Sequence, residues 1–412
     1  MTADQALTDI QAATGTMPSP HSFCIIPFIH YSTTTVGDFK LCCRSEKIGH
    51  VDETDIKDLW AGDRYGSIRN SLIEGKRIAE CKACWQLEDT GIQSLRQSHN
   101  TERARKYANR VIDWIKHGTI SPDIPIIELK LSNICNLRCR MCWPKDSTPW
   151  LKDWDLVKDL YSDGDQRHIQ DIIDTYSLAR NPILNRFESN SGFLESFLEH
   201  AAGIEELEFA GGEPLLDPLH FKIISRLPHP ERVILKYNTN LTRLNFNKKE
   251  SILDLWHRFK GVKLTISIDG SHDLNAWIRK NSDLDEIMSN IATVRQSLGK
   301  NLIELKITTC ISAMNATGLS NIFDDVVKVI DAPWITTRLQ YPNFMHANVL
   351  HPDDLQRGIE GLMACSTGDS INKHVYDRQL QNSIRWLQHC IDHNTFGENN
   401  MRYMEYNKRM PD

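Results

Sequence analysis

The run Cys135-Asn136-Leu137-Arg138-Cys139-Arg140-Met141-Cys142 crowds three thiols into a C-x3-C-x2-C spacing directly after a strand-like segment. Soft sulfur ligands this close together select an iron–sulfur or a zinc centre. The number three is the constraint. A four-iron cluster held by three cysteines leaves one iron open to a further ligand, so the site is chemically unfinished without one.

The chain carries 11 cysteines in 412 residues, and they fall in groups. Cys24 stands near the start, Cys42 and Cys43 are adjacent, Cys81 and Cys84 form a C-x2-C pair, and Cys310, Cys365 and Cys390 are single. Short spacings of this kind favour metal ligation over scattered core thiols. The first twenty residues hold Asp4 and Asp9 and no basic residue, so no secretory signal is expected. No apolar run approaches a membrane span. The expectation is a cytoplasmic protein, where thiols stay reduced. A net charge of −6 gives no basic footprint, so nucleic acid is not an expected partner. None of the 16 histidines joins a catalytic constellation.

Along the chain, residues 1–21 lack periodicity and read as a mobile tail. Residues 22–100 hold five cysteines and read as a small cluster-binding module, and 101–125 as a connecting helix and linker ending past Gly118, Pro122 and Pro125. From 126 to 345 strands and helices alternate. The predicted strands are 126–132, 206–210, 232–238, 262–269, 302–312 and 335–341, with helices at 219–227, 248–259, 283–298 and 319–330. Such alternation predicts an α/β fold with parallel strands and helices outside, and six units suit a partial (β/α)6 barrel. Residues 144–203 are too long for a simple crossover and read as a charged helical insertion; 346–412 read as a helical C-terminal extension.

The cysteine triplet resembles the signature of the radical S-adenosylmethionine (SAM) superfamily, and further segments match that family in order. Gly211-Gly212-Glu213-Pro214 follows the second strand, where the family keeps a glycine-rich turn close to the cofactor's amino group. Ser267 and Asp269 lie in Ser267-Ile268-Asp269-Gly270, where the family places polar contacts to SAM. Arg279 resembles an arginine that pairs with the cofactor carboxylate, and Thr239-Asn240 a strand-end pair that the family follows with glycine; here Leu241 stands instead. Met141 occupies a position where relatives carry an aromatic residue against adenine. The resemblance implies a radical-SAM barrel with a 4Fe–4S cluster on Cys135, Cys139 and Cys142. It implies a SAM site formed by Met141, Gly211, Gly212, Glu213, Pro214, Asn240, Ser267, Asp269 and Arg279. It further implies reductive cleavage of SAM to a 5′-deoxyadenosyl radical, with a flavodoxin- or ferredoxin-type electron donor.

At the amino end, Cys24, Gly37 and Cys42 give C-x12-G-x4-C, followed by the Cys81/Cys84 pair. This resembles the SPASM/twitch auxiliary-cluster module, which in most relatives follows the barrel and here precedes it. Cys24, Cys42, Cys81 and Cys84 supply four thiolates, enough to close a second 4Fe–4S cluster. Structural zinc is the alternative. Cys43 competes with Cys42 as ligand.

In the strand 302–312, Ile303, Leu305, Ile307 and Ile311 share an apolar face, so Lys306, Thr308, Cys310 and Ser312 are expected to point into the barrel. The same alternation points Glu128, Lys130, Glu208, Lys236, Asn238, Lys263, Ser267, Arg338 and Gln340 inward. A polar interior implies a polar substrate. An inward Cys310 can donate a hydrogen atom to a substrate radical, which would make the enzyme an epimerase; a second cluster would instead suit oxidation or crosslinking. The resemblance favours a peptide or protein residue as substrate, with a sugar, nucleotide or small metabolite as alternative. A non-catalytic zinc or electron-transfer protein is the rival of a different class, and it would not cleave SAM.

Overall fold

The computed structural model describes residues 3–91, 93–246 and 250–410. It divides into two compact units whose segments alternate along the chain: Met1–Ser132, Asn185–Gly211 and Pro218–Leu235 form the first, and Asn133–Leu184, Gly212–Asp217 and Lys236–Asp412 the second.

In the first unit, helix α1 (Ala3–Thr14) replaces much of the expected mobile tail. Ala6, Leu7 and Ile10 recur at helical spacing and are buried against Phe23, Ile25, Phe28, Tyr107 and Val111. Strand β1 (His30–Thr33) pairs antiparallel with β2 (Asp38–Lys40), which pairs antiparallel with β3 (Lys47–His50). On its other edge β1 runs parallel to β4 (Ile126–Lys130), and β4 runs parallel to β5 (Glu206–Ala210) in the register Leu129↔Phe209. Gly37, the glycine of the C-x12-G-x4-C spacing, turns the chain from β1 to β2 at φ +98°, and a Cβ there would lie 2.9 Å from His50 Nε2. Both the backbone angle and the space require glycine.

This unit is more helical than its sequence suggests. It also holds helices α2 (Asp63–Ile73), α3 (Lys82–Asp89), α4 (Leu95–Arg103) and α5 (Ala108–His117). Helix α4 opens on a capping box, with Ser94 and Gln97 exchanging side-chain and backbone bonds. Helix α5 ends on Gly118 in the left-handed region at φ +65°.

The second unit takes up β6 (Ile234–Thr239) from Lys236 onward, and holds β7 (Gly261–Ser267), β8 (Leu302–Ile311) and β9 (Trp334–Arg338). β7, β8 and β9 are parallel in the registers Leu305↔Leu264 and Cys310↔Thr337. Leu264, Ile266, Ile307 and Ile311 are buried, each contributing about 1.5–3 kcal/mol of apolar burial. Lys263, Thr265, Ser267, Lys306, Thr308 and Cys310 occupy the alternate, partly open face. Ile303, expected on the apolar face, is exposed at the start of β8.

Helices α6 (His272–Ile278) and α7 (Leu284–Leu298) follow β7. Asp283 caps α7 by accepting from the amides of Asp285 and Glu286. The expected helix 248–259 begins outside the described residues and is seen as Ile252–Trp256. The expected helix 319–330 is present, but its middle, Phe323–Val327, is a π-turn. The C-terminal extension forms α8 (Pro352–Ala364), α9 (Lys373–Asp392) and α10 (Glu398–Arg409).

Arg338 corrects one inward assignment. Its guanidinium stacks over Trp386 of α9 at 4.1 Å from the ring centroid, so it faces the helix layer. Thr336, two residues earlier on the same face, meets Gln379 and Ser383 of that helix. The alternation along β9 runs in the opposite phase to the expected one, since Trp334, on the same face as Arg338, also points to the helices, against Phe323.

Candidate active site

The cysteine triplet sits on a loop whose carbonyls are spoken for. Ser147 Oγ donates to the Leu137 carbonyl at 2.7 Å, Thr148 Oγ1 to that of Cys135 at 3.2 Å, and Trp150 Nε1 to that of Cys139 at 2.6 Å. The buried Asn133 amide bridges Pro144, Pro182 and Leu184. These bonds fix the backbone of the loop. One amide already points at sulfur: Leu137 N–H donates to Cys135 Sγ at 3.4 Å. Burial, with the charge of Cys139 next, pushes the Cys135 thiol up to about 12. A hydrogen bond with Cys142 lowers Cys139 and raises Cys142, so these two sulfurs face each other.

The glycine-rich turn packs on the entrance to this loop. A Cβ on Gly212 would enter the Ile134 carbonyl and lie 2.8 Å from the Asn133 carbonyl carbon, and Glu213 N–H donates to Ile134 O at 2.7 Å. Gly211 sits at φ +111°. Pro214 starts a short 3-10 turn and is buried.

Glu213 is buried and acts as a bracket. Its Oε1 accepts from Thr239 Oγ1 at 2.7 Å and from Leu215 N–H at 3.1 Å, and its Oε2 accepts from Asn240 N–H at 2.7 Å. Burial raises its carboxyl pKa, and these three donors oppose the shift. Asn240 in turn donates to Asn136 Oδ1 at 3.1 Å, inside the triplet loop. Leu241, where the resembling family has glycine, adopts φ +51° with its side chain fully buried. The chain here takes a glycine-type backbone angle with a leucine, at a cost of about 1–2 kcal/mol.

Asp269 and Arg279 meet on the other side of the loop. Asp269 is 0% exposed and its Oδ2 pairs with Arg279 Nε at 2.7 Å. Arg279 lies beside Cys139 through a short antiparallel pairing, and its Nη1 reaches Cys139 Sγ at 3.7 Å. Burial works against the Arg279 charge, but Asp269 and Cys139 outweigh it and raise its pKa. Asp269 Oδ1 also accepts from the backbone N–H of Cys310 at 2.7 Å, and Asn315 donates to the Cys310 carbonyl at 3.0 Å. The Cys310 thiol is pushed up to about 12, first by burial and then by the Asp269 charge, and it hydrogen-bonds Thr337.

Contacts therefore bring together the triplet, Gly212, Glu213 and Asn240 on one side, and Cys139, Arg279, Asp269 and Cys310 on the other. Ser267 lies two residues before Asp269 on the open face of β7. Met141 is half-buried beside Cys142. Sequence reasoning passed over Asn136, Asn275 and Asn315; Asn275 accepts from the Asp269 amide at 3.0 Å. Only Thr239, adjacent to Asn240, carried a local signal.

In the first unit, Cys81 precedes α3 and Cys84 lies in its first turn, so both thiols lie on one side of that helix. Cys24 is buried and within electrostatic reach of Cys81, Cys42 and Cys84. Cys42 and Cys81 each couple to Cys84 in the same way, and burial raises both. Cys42 and Cys43 stand in a turn after β2, closed by Ser45 N–H donating to the Cys42 carbonyl at 3.1 Å, and not in a strand. Cys43 is exposed, and its strongest charged neighbour is Glu128. Among the described residues, no three Cys, His, Asp or Glu side chains converge at single-ion distances. The donor chemistry of both sites fits iron–sulfur clusters: buried, mutually repelling thiols, with amide and guanidinium donors on two of the triplet sulfurs.

Residues 129–311 match the model of the radical SAM superfamily, and residues 24–85 that of an iron–sulfur cluster-binding domain, SPASM. The chain therefore carries a radical SAM domain, with a SPASM domain ahead of it. Its cofactors are SAM, the radical-SAM 4Fe–4S cluster and an auxiliary cluster. A GTP 3′,8-cyclase of Streptomyces coelicolor is 24% identical over 199 residues, 47% of this chain and 46% of that protein. The chain thus spans about half the length of this curated relative. Among solved structures, anSMEcpe with bound AdoMet is 16% identical, with a TM-score of 0.35 over 60% of this chain and 61% of that one. Streptococcus suis SuiB bound to its precursor peptide SuiA is 14% identical, with a TM-score of 0.35 over 82% and 68%. No helix among the described residues is long and apolar enough to cross a membrane.

Proposed function

We propose that this protein is a radical SAM enzyme that removes a hydrogen atom from a polar substrate, a peptide or protein residue foremost. Cys135, Cys139 and Cys142 would hold the catalytic cluster, and Met141, Gly211, Gly212, Glu213, Pro214, Asn240, Ser267, Asp269 and Arg279 would line the SAM site. Bound there, the cluster and SAM supply a 5′-deoxyadenosyl radical when one electron arrives from a flavodoxin- or ferredoxin-type donor. Cys24, Cys42, Cys81 and Cys84 would hold the auxiliary cluster, which suits net oxidation or crosslinking.

One observation carries the reading: Arg279 reaches Cys139 while paired to Asp269, and Asp269 holds the backbone of Cys310. This chain of contacts ties a triplet cysteine to the polar face of β7 and β8. Glu213 and Asn240 brace the loop from its other side, and the lysines, threonines and serine of that face support a polar substrate. The test is anaerobic reduction with dithionite in the presence of SAM. Formation of 5′-deoxyadenosine is expected, and its absence from cluster-loaded protein would refute the reading.

Cys310 favours a second reading, epimerisation. With its pKa near 12 the thiol keeps its proton at neutral pH, as a hydrogen-atom donor requires. Donation breaks S–H and forms C–H, leaving a thiyl that one electron from the external donor and one proton from solvent restore. Cys310→Ala would then retain 5′-deoxyadenosine formation but stop solvent deuterium entering the product. If deuterium still entered, Cys310 would be a packing residue.

A further inference from the structure

The family match for the cysteine-rich module ends at residue 85, yet the side chains that hold the backbone on either side of Cys24 lie beyond it. Arg96 of α4 is buried, with its side chain only 4% exposed, and pairs through two nitrogens with Glu88 of α3: Nε to Oε1 at 2.9 Å and Nη2 to Oε2 at 2.6 Å. Its third nitrogen donates to the carbonyl of Phe23 at 2.7 Å and to that of Pro20 at 3.2 Å. The guanidinium also stacks over Trp85, the residue after Cys84, at 5.3 Å. One turn further along α4, Asn100 bridges the other side of Cys24: its Nδ2 donates to the Phe23 carbonyl at 2.8 Å, and its Oδ1 accepts from the Ile25 amide at 2.9 Å. Ser94, the cap of α4, adds a bond to Glu88 at 2.5 Å.

Cys24 and the Cys81/Cys84 pair are far apart in sequence and share no secondary-structure element. Four thiolates that must meet one cluster need that gap fixed before the metal arrives, and a bidentate arginine–carboxylate pair is a rigid means of fixing it. Burying such a pair is costly, so it is poor evidence of stability for its own sake and better evidence of a positional task.

We propose that Arg96, Glu88 and Asn100 are positioning residues of the auxiliary site, a clasp that holds Cys24 against the Cys81–Cys84 turn and sets the electrostatic surroundings of the cluster. The clasp rests on the assignment of those cysteines as ligands.

The test uses the full chain with Cys135, Cys139 and Cys142 replaced by alanine, so that remaining iron reports the auxiliary site. Cys24→Ala is the control, and iron per chain, loss to a chelator and the midpoint potential by EPR titration are measured. Arg96→Gln leaves the Glu88 carboxylate alone and should lower the potential; Glu88→Gln leaves the Arg96 cation alone and should raise it. A merely structural pair would lose iron in both without opposite shifts. Arg96→Lys and Asn100→Asp, milder changes, should speed chelator loss at least several-fold, and they decide the matter if the glutamine variants do not fold. Unchanged potential and unchanged chelator loss throughout would overturn the clasp while leaving the ligands intact. If Cys24→Ala keeps all its iron, the ligand assignment falls, and the clasp with it.

Discussion

The two cysteine sites solve the same problem in opposite ways. The triplet is local: one short loop carries all three thiols, and neighbouring groups hold its carbonyls, as Ser147, Thr148 and Trp150 do. The proposed amino-terminal site would be assembled from three distant segments, bridged by the bonds that side chains of α4 make to Phe23, Ile25 and Glu88. A local site is fixed by bonds from nearby side chains to its own backbone. A dispersed one depends on tertiary contacts and should be the first to loosen.

The largest effect should come from replacing Cys135, Cys139 and Cys142 with alanine. Iron in reconstituted protein should fall from about eight to about four per chain, and 5′-deoxyadenosine formation should vanish. Replacing Cys24 or Cys42 should remove the other four, whereas Cys43→Ala should remove none. Equal losses for Cys42 and Cys43 would break the ligand assignment. Next comes Glu213→Ala, which strands three buried donors and should cost about 3 kcal/mol or more in thermal or denaturant unfolding. Its iron loss should be confined to the triplet site.

Leu241→Gly sets two terms against each other. Relief of the φ +51° strain returns about 1–2 kcal/mol, while deleting a fully buried leucine side chain costs about 2–5 kcal/mol. Net destabilisation of about 1–3 kcal/mol is expected, and a stabilised variant would show that the strain dominates. The smallest effect is the pH dependence of the dispersed site. Burial opposes ionisation of Glu88, but the bonds from Arg96 and Ser94 win and hold its pKa below the ordinary value of about 4.3. Its stabilising contribution is thus present above that value and lost as pH falls through the lower, folded-state one. Followed by cluster absorbance in triplet-free protein, Glu88→Gln should flatten the acid limb of the stability curve.

The same division between local and distant contacts governed what could be read from the residues. The triplet and GGEP were legible because each is contiguous, and the six alternating strands because period-two burial needs only a few neighbours. Helix α1 was not: the partners of Ala6, Leu7 and Ile10 include Tyr107 and Val111, about a hundred residues away. Arg96 and Asn100 look like ordinary surface residues of a helix until Phe23 is placed beside them. Arg338 was assigned inward because nothing near it in sequence reveals α9 lying against β9.

The interleaving of the two units has a consequence for synthesis. The first unit's sheet includes β5 (Glu206–Ala210), which is made only after the whole triplet loop. A ribosome therefore releases both thiol-rich regions before the earlier one can complete its fold. No contiguous fragment contains the first unit alone, so its complete sheet forms only after the triplet loop has been made.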